Sequence, residues 1–358
     1  MIYCTKTITR GADMNKFISS LEKFRKECDE YFSSTDFSAF LDSFGVTDVM
    51  KEYYAAFLRQ CHGGKRIRAF LTYLTFSLFK GEENASIAFL PSLSYELFQT
   101  GILSHDDIID NSEMRRFKPS MHMDLGGGHT GVSKAICVGD FGIVAALEII
   151  TKSDFDDRIK LKAISHQNKV FISTIAGELR DIEFSGRMDV EEKEILEMNH
   201  LKTAQYTVSG PLVLGAILAD ADNDTTKALA LFGNLVGTAF QIRDDILGMF
   251  GDEAKVGKSV TADMCEGKQT VLTAHFIKNA NEVQKKAFFK IYGNESSGIE
   301  QLEEVRSLLT NSGSLSYAQS LCESMVKEAA MLLEKISVNT HGKEKLYGLL
   351  EYMTQRSN

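Results

Sequence analysis

Proline is nearly absent. Only 3 of the 358 residues are proline (Pro91, Pro119 and Pro211), so helices can run long without a breaker and little material exists for a stiff interdomain linker. No uninterrupted apolar run approaches the roughly eighteen residues of a membrane-spanning helix. No C-x-x-C pair occurs: Cys4, Cys28, Cys61, Cys137, Cys265 and Cys322 are scattered, which reads as reduced, cytoplasmic thiols rather than a disulfide framework or a zinc site. Positive charge is in deficit, with 40 Lys and Arg against 49 Asp and Glu and a net charge of -9. That argues against a nucleic-acid binder, which wants a basic face, but not against a small anion held by a local cluster of cations. The N-terminus lacks the apolar core of a secretory signal. Residues 1–12 carry Lys6 and Arg10 and no acid, which weakly resembles a targeting stub. The expectation is instead a flexible extension over 1–13 and a single domain over 14–358. Internal repeats, low-complexity tracts and interior linkers are missing too.

What is present is helical periodicity. Phe17, Leu21 and Phe24 recur at three- and four-residue spacing, and residues 69–79, 87–103, 138–150, 159–184, 195–218, 226–250 and 302–333 read the same way. Breaks are predicted at 61–64, 80–84, 117–130, 185–189, 221–224, 251–267 and 294–298. Strand-like alternation is scarce, so the fold class is all-α. Segments 138–150, 211–218 and 229–239 are apolar nearly all round, which predicts central burial.

Two acidic clusters interrupt this pattern. In Asp106-Asp107-Ile108-Ile109-Asp110, Asp106 and Asp110 share one helix face, where like charges destabilise a helix by a few tenths of a kcal/mol. Their neighbours Leu103, Ile108 and Ile109 are apolar, unlike a solvated acidic surface. Hard oxygen ligands one turn apart suit Mg²⁺. A second cluster, Gln241-Ile242-Arg243-Asp244-Asp245-Ile246-Leu247-Gly248, closes another apolar helix. If the two helices face each other, they make a carboxylate-only cage that favours Mg²⁺ over zinc or copper. His105 adjoins the first cluster, and a structural partner is expected for it rather than a metal.

Such a cage holds a phosphate ester, and basic partners are interleaved with it. Gly63-Gly64-Lys65-Arg66-Ile67-Arg68 opens a helix, where glycines permit close backbone approach and the helix start favours anions. Lys65 and Arg68 share a face. Arg115-Arg116 follows the first acidic cluster, Lys202-Thr203 begins an apolar helix, and Lys258 and Lys268 flank a glycine-bearing segment after the second cluster. Together they look like two diphosphate sites. Two glycine-rich stretches are not nucleotide motifs. Gly251 to Ser259 reads G-x-x-x-x-x-G-K-S, one residue too long for a phosphate loop, and Gly126-Gly127-Gly128 has no strand-turn-helix around it.

GGKRIR at Gly63, DDIID at Asp106 with Arg115-Arg116, GELRD at Gly177, KT at Lys202, QIRDD at Gln241 and GKSVTADMCEGKQT at Gly257 come in one order. Over about Cys61 to Thr270, the chain resembles the trans-isoprenyl diphosphate synthases. The resemblance implies an all-α fold of about ten or more helices around a central cavity, usually a homodimer. It implies prenyl transfer with about three Mg²⁺ ions. Lys65, Arg68, Gln99 and Arg116 then resemble the isopentenyl diphosphate clamp. Arg115, Lys202, Thr203, Gln241, Lys258 and Lys268 resemble the contacts to the allylic diphosphate. Asp106, Asp110 and Asp244 resemble the Mg²⁺ ligands, supported by Asp107 and Asp245. The residues implied to be catalytic are Asp106, Asp110, Asp244, Arg115, Lys202 and Lys258.

Three positions depart from the family pattern. Ala69 replaces a proline after GGKRIR, which should affect only the helix start. Glu178 stands where many relatives carry Gln, and no role is carried onto it. Gly248 replaces the last Asp of the second cluster, so one metal ion should be held more weakly, with Asp252 one turn on as a substitute. Two rival functions use related designs. A terpene cyclase on the same fold would not need Lys65, Arg68, Gln99 and Arg116. A non-catalytic regulatory subunit would have lost its acidic clusters.

Product length is expected to follow from the helix carrying Asp106. Gly101, Phe98 and Tyr95 precede it by five, eight and eleven residues, each about 4.5 Å deeper at a rise of ~1.5 Å per residue. In short-chain relatives a bulky aromatic at the first position acts as a floor. Gly101 removes that floor, so Phe98 or Tyr95 should stop the tail and the product should exceed farnesyl. Geranylgeranyl diphosphate is expected, then geranylfarnesyl. The alternative is that Gly101 merely permits close helix packing.

Overall fold

The computed structural model describes residues 10–187, 189–251 and 260–354. Among them, helices account for nearly all regular structure. In order these are α1 (Arg10–Phe32), α2 (Thr35–Asp42), α3 (Thr47–Cys61), α4 (Ile67–Lys80), a 3₁₀ stretch (Glu82–Ala88), α5 (Phe89–Ser92), α6 (Ser94–Ile109), α7 (Met121–Asp124), α8 (Gly128–Thr151), α9 (Asp157–Phe184) and α10 (Glu192–Asn199). A π-wound segment (His200–Ser209) leads into α11 (Gly210–Leu218). Then come α12 (Asn223–Phe250), α13 (Ala262–Cys265), α14 (Val271–Asn279), α15 (Glu282–Ile291), α16 (Ile299–Asn311), α17 (Ser314–Leu333) and α18 (Thr340–Thr354). The strands described are two residues each, Met114–Arg115 and Lys118–Pro119, paired antiparallel. α1 starts at Arg10, inside the segment expected to be an extension. Residues 1–9 lie outside the described residues.

Local chemistry starts several helices. Asp222 caps α12 by accepting the N–H groups of Asp224 and Thr225. Thr270 with Thr273, and Asn281 with Gln284, form reciprocal caps on α14 and α15. Each such cap is worth about 1 kcal/mol.

The chain divides into two compact units. One takes Lys16–Gln167 and Val213–Ala221; the other takes the remaining described residues. In the first unit α1 buries Phe17, Leu21, Phe24, Cys28 and Phe32 at helical spacing. The rings of Phe17 and Phe24 lie 5.3 and 5.6 Å from that of Phe70 on α4. α6 and α8 cross where both are glycine. A Cβ on Gly101 would stand 2.6 Å from the Gly139 carbonyl oxygen, and one on Gly142 would stand 3.0 Å from the Gly101 Cα. In the second unit α12 packs on the π-wound segment and on α17. A Cβ on Gly237 would stand 2.6 Å from the Ala204 Cα. Phe184, Ile195, Met198, Ile242, Phe276, Phe288, Leu302 and Leu309 form its core.

Three expectations about helices are corrected. Segment 87–103 is not one helix: the chain tightens at Leu93, whose N–H bonds the Leu90 carbonyl, and α6 starts afterwards. Segment 302–333 is split at Gly313, whose φ of +77° is a left-handed turn suited to glycine. Central burial holds for 211–218 apart from the half-buried Ile217, whereas Val144 of α8 and Leu231 of α12 remain exposed.

Candidate active site

In the first unit, α6 delivers the first acidic cluster at its C-terminal end. Asp110 ends the helix, its N–H bonding the Asp106 carbonyl at 2.9 Å. Asp107 points inward and is buried, Asp106 is half-buried and Asp110 is exposed. The strand pair then reverses the chain through Arg116 and Phe117, both left-handed at φ +53° and +62°. Two such residues in a two-residue turn match the twist of the strands, at a steric cost that glycine would avoid. The reversal turns Arg115 back onto α6. Its Nε donates to Asp107 Oδ1 at 2.6 Å and its NH2 to Asp106 Oδ2 at 2.7 Å. Burial raises the Asp107 pKa, against the pull of Arg115. Arg116 instead donates to the His62 carbonyl at 3.4 Å.

The glycine-led motif before α4 meets the same place. Its Arg66 is 3% exposed, left-handed at φ +59°, and pairs with Glu96 at 3.0 Å and Asp29 at 2.7 Å. This buried pair anchors the loop. Ala69 has an N–H that donates to Glu96 at 3.4 Å. Arg68 donates to the Gln99 amide oxygen at 3.0 Å. Gly64 is close to two guanidinium groups: a Cβ there would stand 3.3 Å from Arg66 and 3.4 Å from Arg116. A cleft lined by His62, Arg66, Gln99, Asp107, Arg115 and Arg116 results. Burial lowers the Arg116 pKa; Glu96 opposes this, while Arg66, Arg115 and Arg68 add to it. Such an excess of guanidinium charge is relieved by an anion. Lys65 is exposed and outside the cleft lining.

In the second unit the π-wound segment carries Lys202 and Thr203. Its widened winding is seen in the Gly210 N–H bonding the Gln205 carbonyl, five residues back. Gly177 of α9 lets that backbone come close, since a Cβ there would lie 2.6 Å from the Lys202 Cα. Thr203 donates to the Gln241 amide oxygen at 2.7 Å, and the Gln241 amide donates to Asp245 at 2.9 Å. Lys268 completes the row, 3.7 Å from Asp245. Burial pushes the Asp245 carboxyl up to about 7, although Lys268 and Gln241 pull it down. Lys202 points elsewhere, to Asp181 at 2.6 Å and Glu178 at 2.8 Å. Burial would lower its pKa, but the two carboxylates more than reverse that. Asp244 is half-buried beside these groups.

The structure thus brings together Arg115 with Asp106 and Asp107, Arg68 with Gln99, and Thr203 with Gln241, Asp245 and Lys268. Lys258 and Asp252 lie outside the described residues. His105 bonds the Ile136 carbonyl at 3.1 Å, a structural partner. Gly101 is a packing glycine against α8, while Phe98 and Tyr95 are fully buried. The Arg66 anchor, the pair of carboxylates on Lys202 and the two-stranded turn were not read from the sequence. GELRD contained a signal for the second, because Glu178 and Asp181 are one helical turn apart.

Among the described residues no group of three His, Cys, Asp or Glu side chains stands ready for a metal ion. The donor set nevertheless fits Mg²⁺. It is all carboxylate, the ion needs only one or two protein ligands beside phosphate oxygens, and Asp245 is a buried carboxylate short of positive charge.

A family model described as polyprenyl synthetase matches residues 50–309. The chain belongs to the polyprenyl synthetase family. Membership makes it a prenyltransferase. It is 32% identical over 313 residues to the geranylgeranyl diphosphate synthase of Sulfolobus acidocaldarius, covering 86% of this chain and 92% of that one. It is 32% identical over 298 residues to the geranylfarnesyl diphosphate synthase of Aeropyrum pernix, covering 82% and 91%. A geranylgeranyl pyrophosphate synthase from Corynebacterium glutamicum, solved with isoprenyl diphosphate and magnesium, superposes with a TM-score of 0.81. Its identity is 25%, over 96% of this chain and 98% of that one. No helix among the described residues is long and apolar enough to cross a membrane.

Proposed function

We propose that the protein condenses isopentenyl diphosphate with allylic diphosphates to make an all-trans polyprenyl diphosphate, geranylgeranyl diphosphate first. The observation that carries this reading is the cluster of Arg66, Arg68, Arg115 and Arg116 beside the Asp106–Asp107 turn. A cyclase that uses one diphosphate has no need of that cluster. Lys65, Arg68, Gln99 and Arg116 hold isopentenyl diphosphate. Arg115, Lys202, Thr203, Gln241, Lys258 and Lys268 hold the allylic diphosphate. Asp106, Asp110 and Asp244 hold Mg²⁺, about three ions in all, with Asp107 and Asp245 behind them. When bound, Mg²⁺ neutralises the allylic diphosphate and makes it a leaving group. The residues' own work is to fix both substrates and to stabilise the negative charge that develops on the departing diphosphate. Released diphosphate accepts the proton, so no histidine base is required. Fully buried Phe98 and Tyr95 end the growing tail.

The working form is a homodimer in the cytoplasm. Ile172, Ile175, Leu179 and Ile182 support the first part. They form an exposed apolar row along one face of α9, of a kind that a second subunit covers. The five described cysteines are free, which supports a reducing compartment. The test is incubation of pure protein with labelled isopentenyl diphosphate and each allylic starter, followed by chromatography of the dephosphorylated products. Chain elongation is expected; a cyclised hydrocarbon or no product overturns the reading.

A further inference from the structure

The strand pair that carries Arg115 and Arg116 has little to hold it by itself. It is two residue pairs long, and a hairpin of that size is marginal in water. Its turn adds a steric cost, because Arg116 and Phe117 are both left-handed without being glycine. Phe117 is 87% exposed, so its ring buries nothing that would offset this cost. Ser120 N–H bonds the Glu113 carbonyl at 2.9 Å, and antiparallel pairs alternate between bonded and non-bonded. Met114 and Pro119, the next pair towards the turn, are therefore non-bonded, and the Pro119 carbonyl faces away from the other strand. Gln60, in the last turn of α3, donates its amide to that carbonyl at 2.9 Å. Arg59 beside it pairs with Asp124 of α7 at 2.9 Å. Both α3 residues also line the cleft. Arg115 is fixed separately by Asp106 and Asp107, whereas Arg116 bonds the His62 carbonyl at a long 3.4 Å.

We infer that Gln60 is a positioning residue for Arg116. By holding the Pro119 carbonyl, it keeps a turn of unfavourable conformation closed against the end of α3, and so sets the Arg116 guanidinium at the cleft before substrate arrives. Strained backbone persists where its surroundings over-determine it, and the tie to α3 supplies that constraint. Preorganisation of this kind lowers the cost of binding rather than the barrier of the chemical step. Loss of the tie weakens one substrate and spares the other, since Arg115 keeps its bonds to α6. The role rests on this cleft being the isopentenyl diphosphate site.

The experiment measures kcat and both Michaelis constants of the full chain, with isopentenyl diphosphate and an allylic starter varied in turn. Gln60→Leu removes the donor at similar bulk. It should raise the KM for isopentenyl diphosphate about three- to tenfold, the worth of one hydrogen bond, with kcat and the allylic KM within about twofold of the parent. Phe117→Gly removes the steric cost of the turn, because glycine adopts the left-handed region freely. Alone it should leave both Michaelis constants unchanged. Combined with Gln60→Leu, it should bring the KM for isopentenyl diphosphate back to within about twofold of the parent, since a relaxed turn no longer needs the tie. An unchanged isopentenyl diphosphate KM in Gln60→Leu overturns the proposal, and so does an equal rise in both Michaelis constants. A double variant no better than Gln60→Leu overturns it too, because that result marks Gln60 as a direct contact to substrate. A parent protein that does not bind isopentenyl diphosphate in calorimetry overturns the reading of the cleft itself, so the two failures are distinct.

Discussion

Around Asp106 and Asp107 the cations are guanidinium groups, whereas around Asp245 the cation is an ammonium group that several carboxylates share. In the first unit, one arginine satisfies two carboxylates. Arg68 donates to an amide oxygen and Arg116 to a carbonyl. In the second, Lys202 carries two carboxylates and Lys268 lies in the field of Asp263, Asp245, Asp181 and Glu266. In the first region guanidinium groups crowd one another at Arg116, which suits an anion. The second has negative charge to spare and suits a diphosphate only together with cations. The same pair of residue types, acid and base, thus makes two different receptors because the first crowds its guanidinium groups and the second its carboxylates.

The largest effect expected from breaking this comparison is on turnover. Asp106→Ala and Asp244→Ala should each lower it by orders of magnitude, with thermal melting of the apo protein flat or slightly raised. Near-normal product formation by Asp106→Ala with Mg²⁺ present would remove that residue from the metal site. Next in size is stability. Arg66→Met leaves Glu96 buried without its partner and should cost about 3–5 kcal/mol in denaturant unfolding. Lys202→Met should cost less, because Glu178 and Asp181 retain access to water; equal losses would undo the contrast between a structural arginine and a functional lysine.

Substrate affinities sharpen the contrast further. Lys65→Ala should raise the KM for isopentenyl diphosphate, and Lys202→Ala that for the allylic substrate. Removing Mg²⁺ should abolish allylic binding in calorimetry and largely spare isopentenyl diphosphate. Both mutants weakening one substrate would merge the two regions. The smallest effect concerns product length. Phe98→Ala should give a longer product by chromatography of the dephosphorylated alcohols. Gly101→Ala should instead cost about 1–3 kcal/mol, because α6 and α8 touch there; a shortened product at unchanged stability would restore Gly101 to a role as the tail's first stop.

The helical class, the order of the motifs and the identity of the charged residues were legible in the sequence, because periodicity and spacing along one helix need no tertiary information. Asp106 and Asp110 share a face whatever the helix packs against. Burial along a helix was legible only where every neighbour was apolar, as in 211–218; Val144 looks equally apolar but faces outward. Gly101 could have been either a gap in a cavity or a close crossing, and only Gly139 and Gly142 on α8 distinguish the two. Partner choice was the other blind spot. Nothing local says that Arg66 turns away from Lys65 and Arg68 to Glu96, or that Lys202 sits between Glu178 and Asp181. The sequence alone determined which charges the protein carries and on which helical faces. The tertiary structure decided which charges neutralise one another, because ion pairing falls off over a few ångströms and depends on burial, and both are properties of the packed chain.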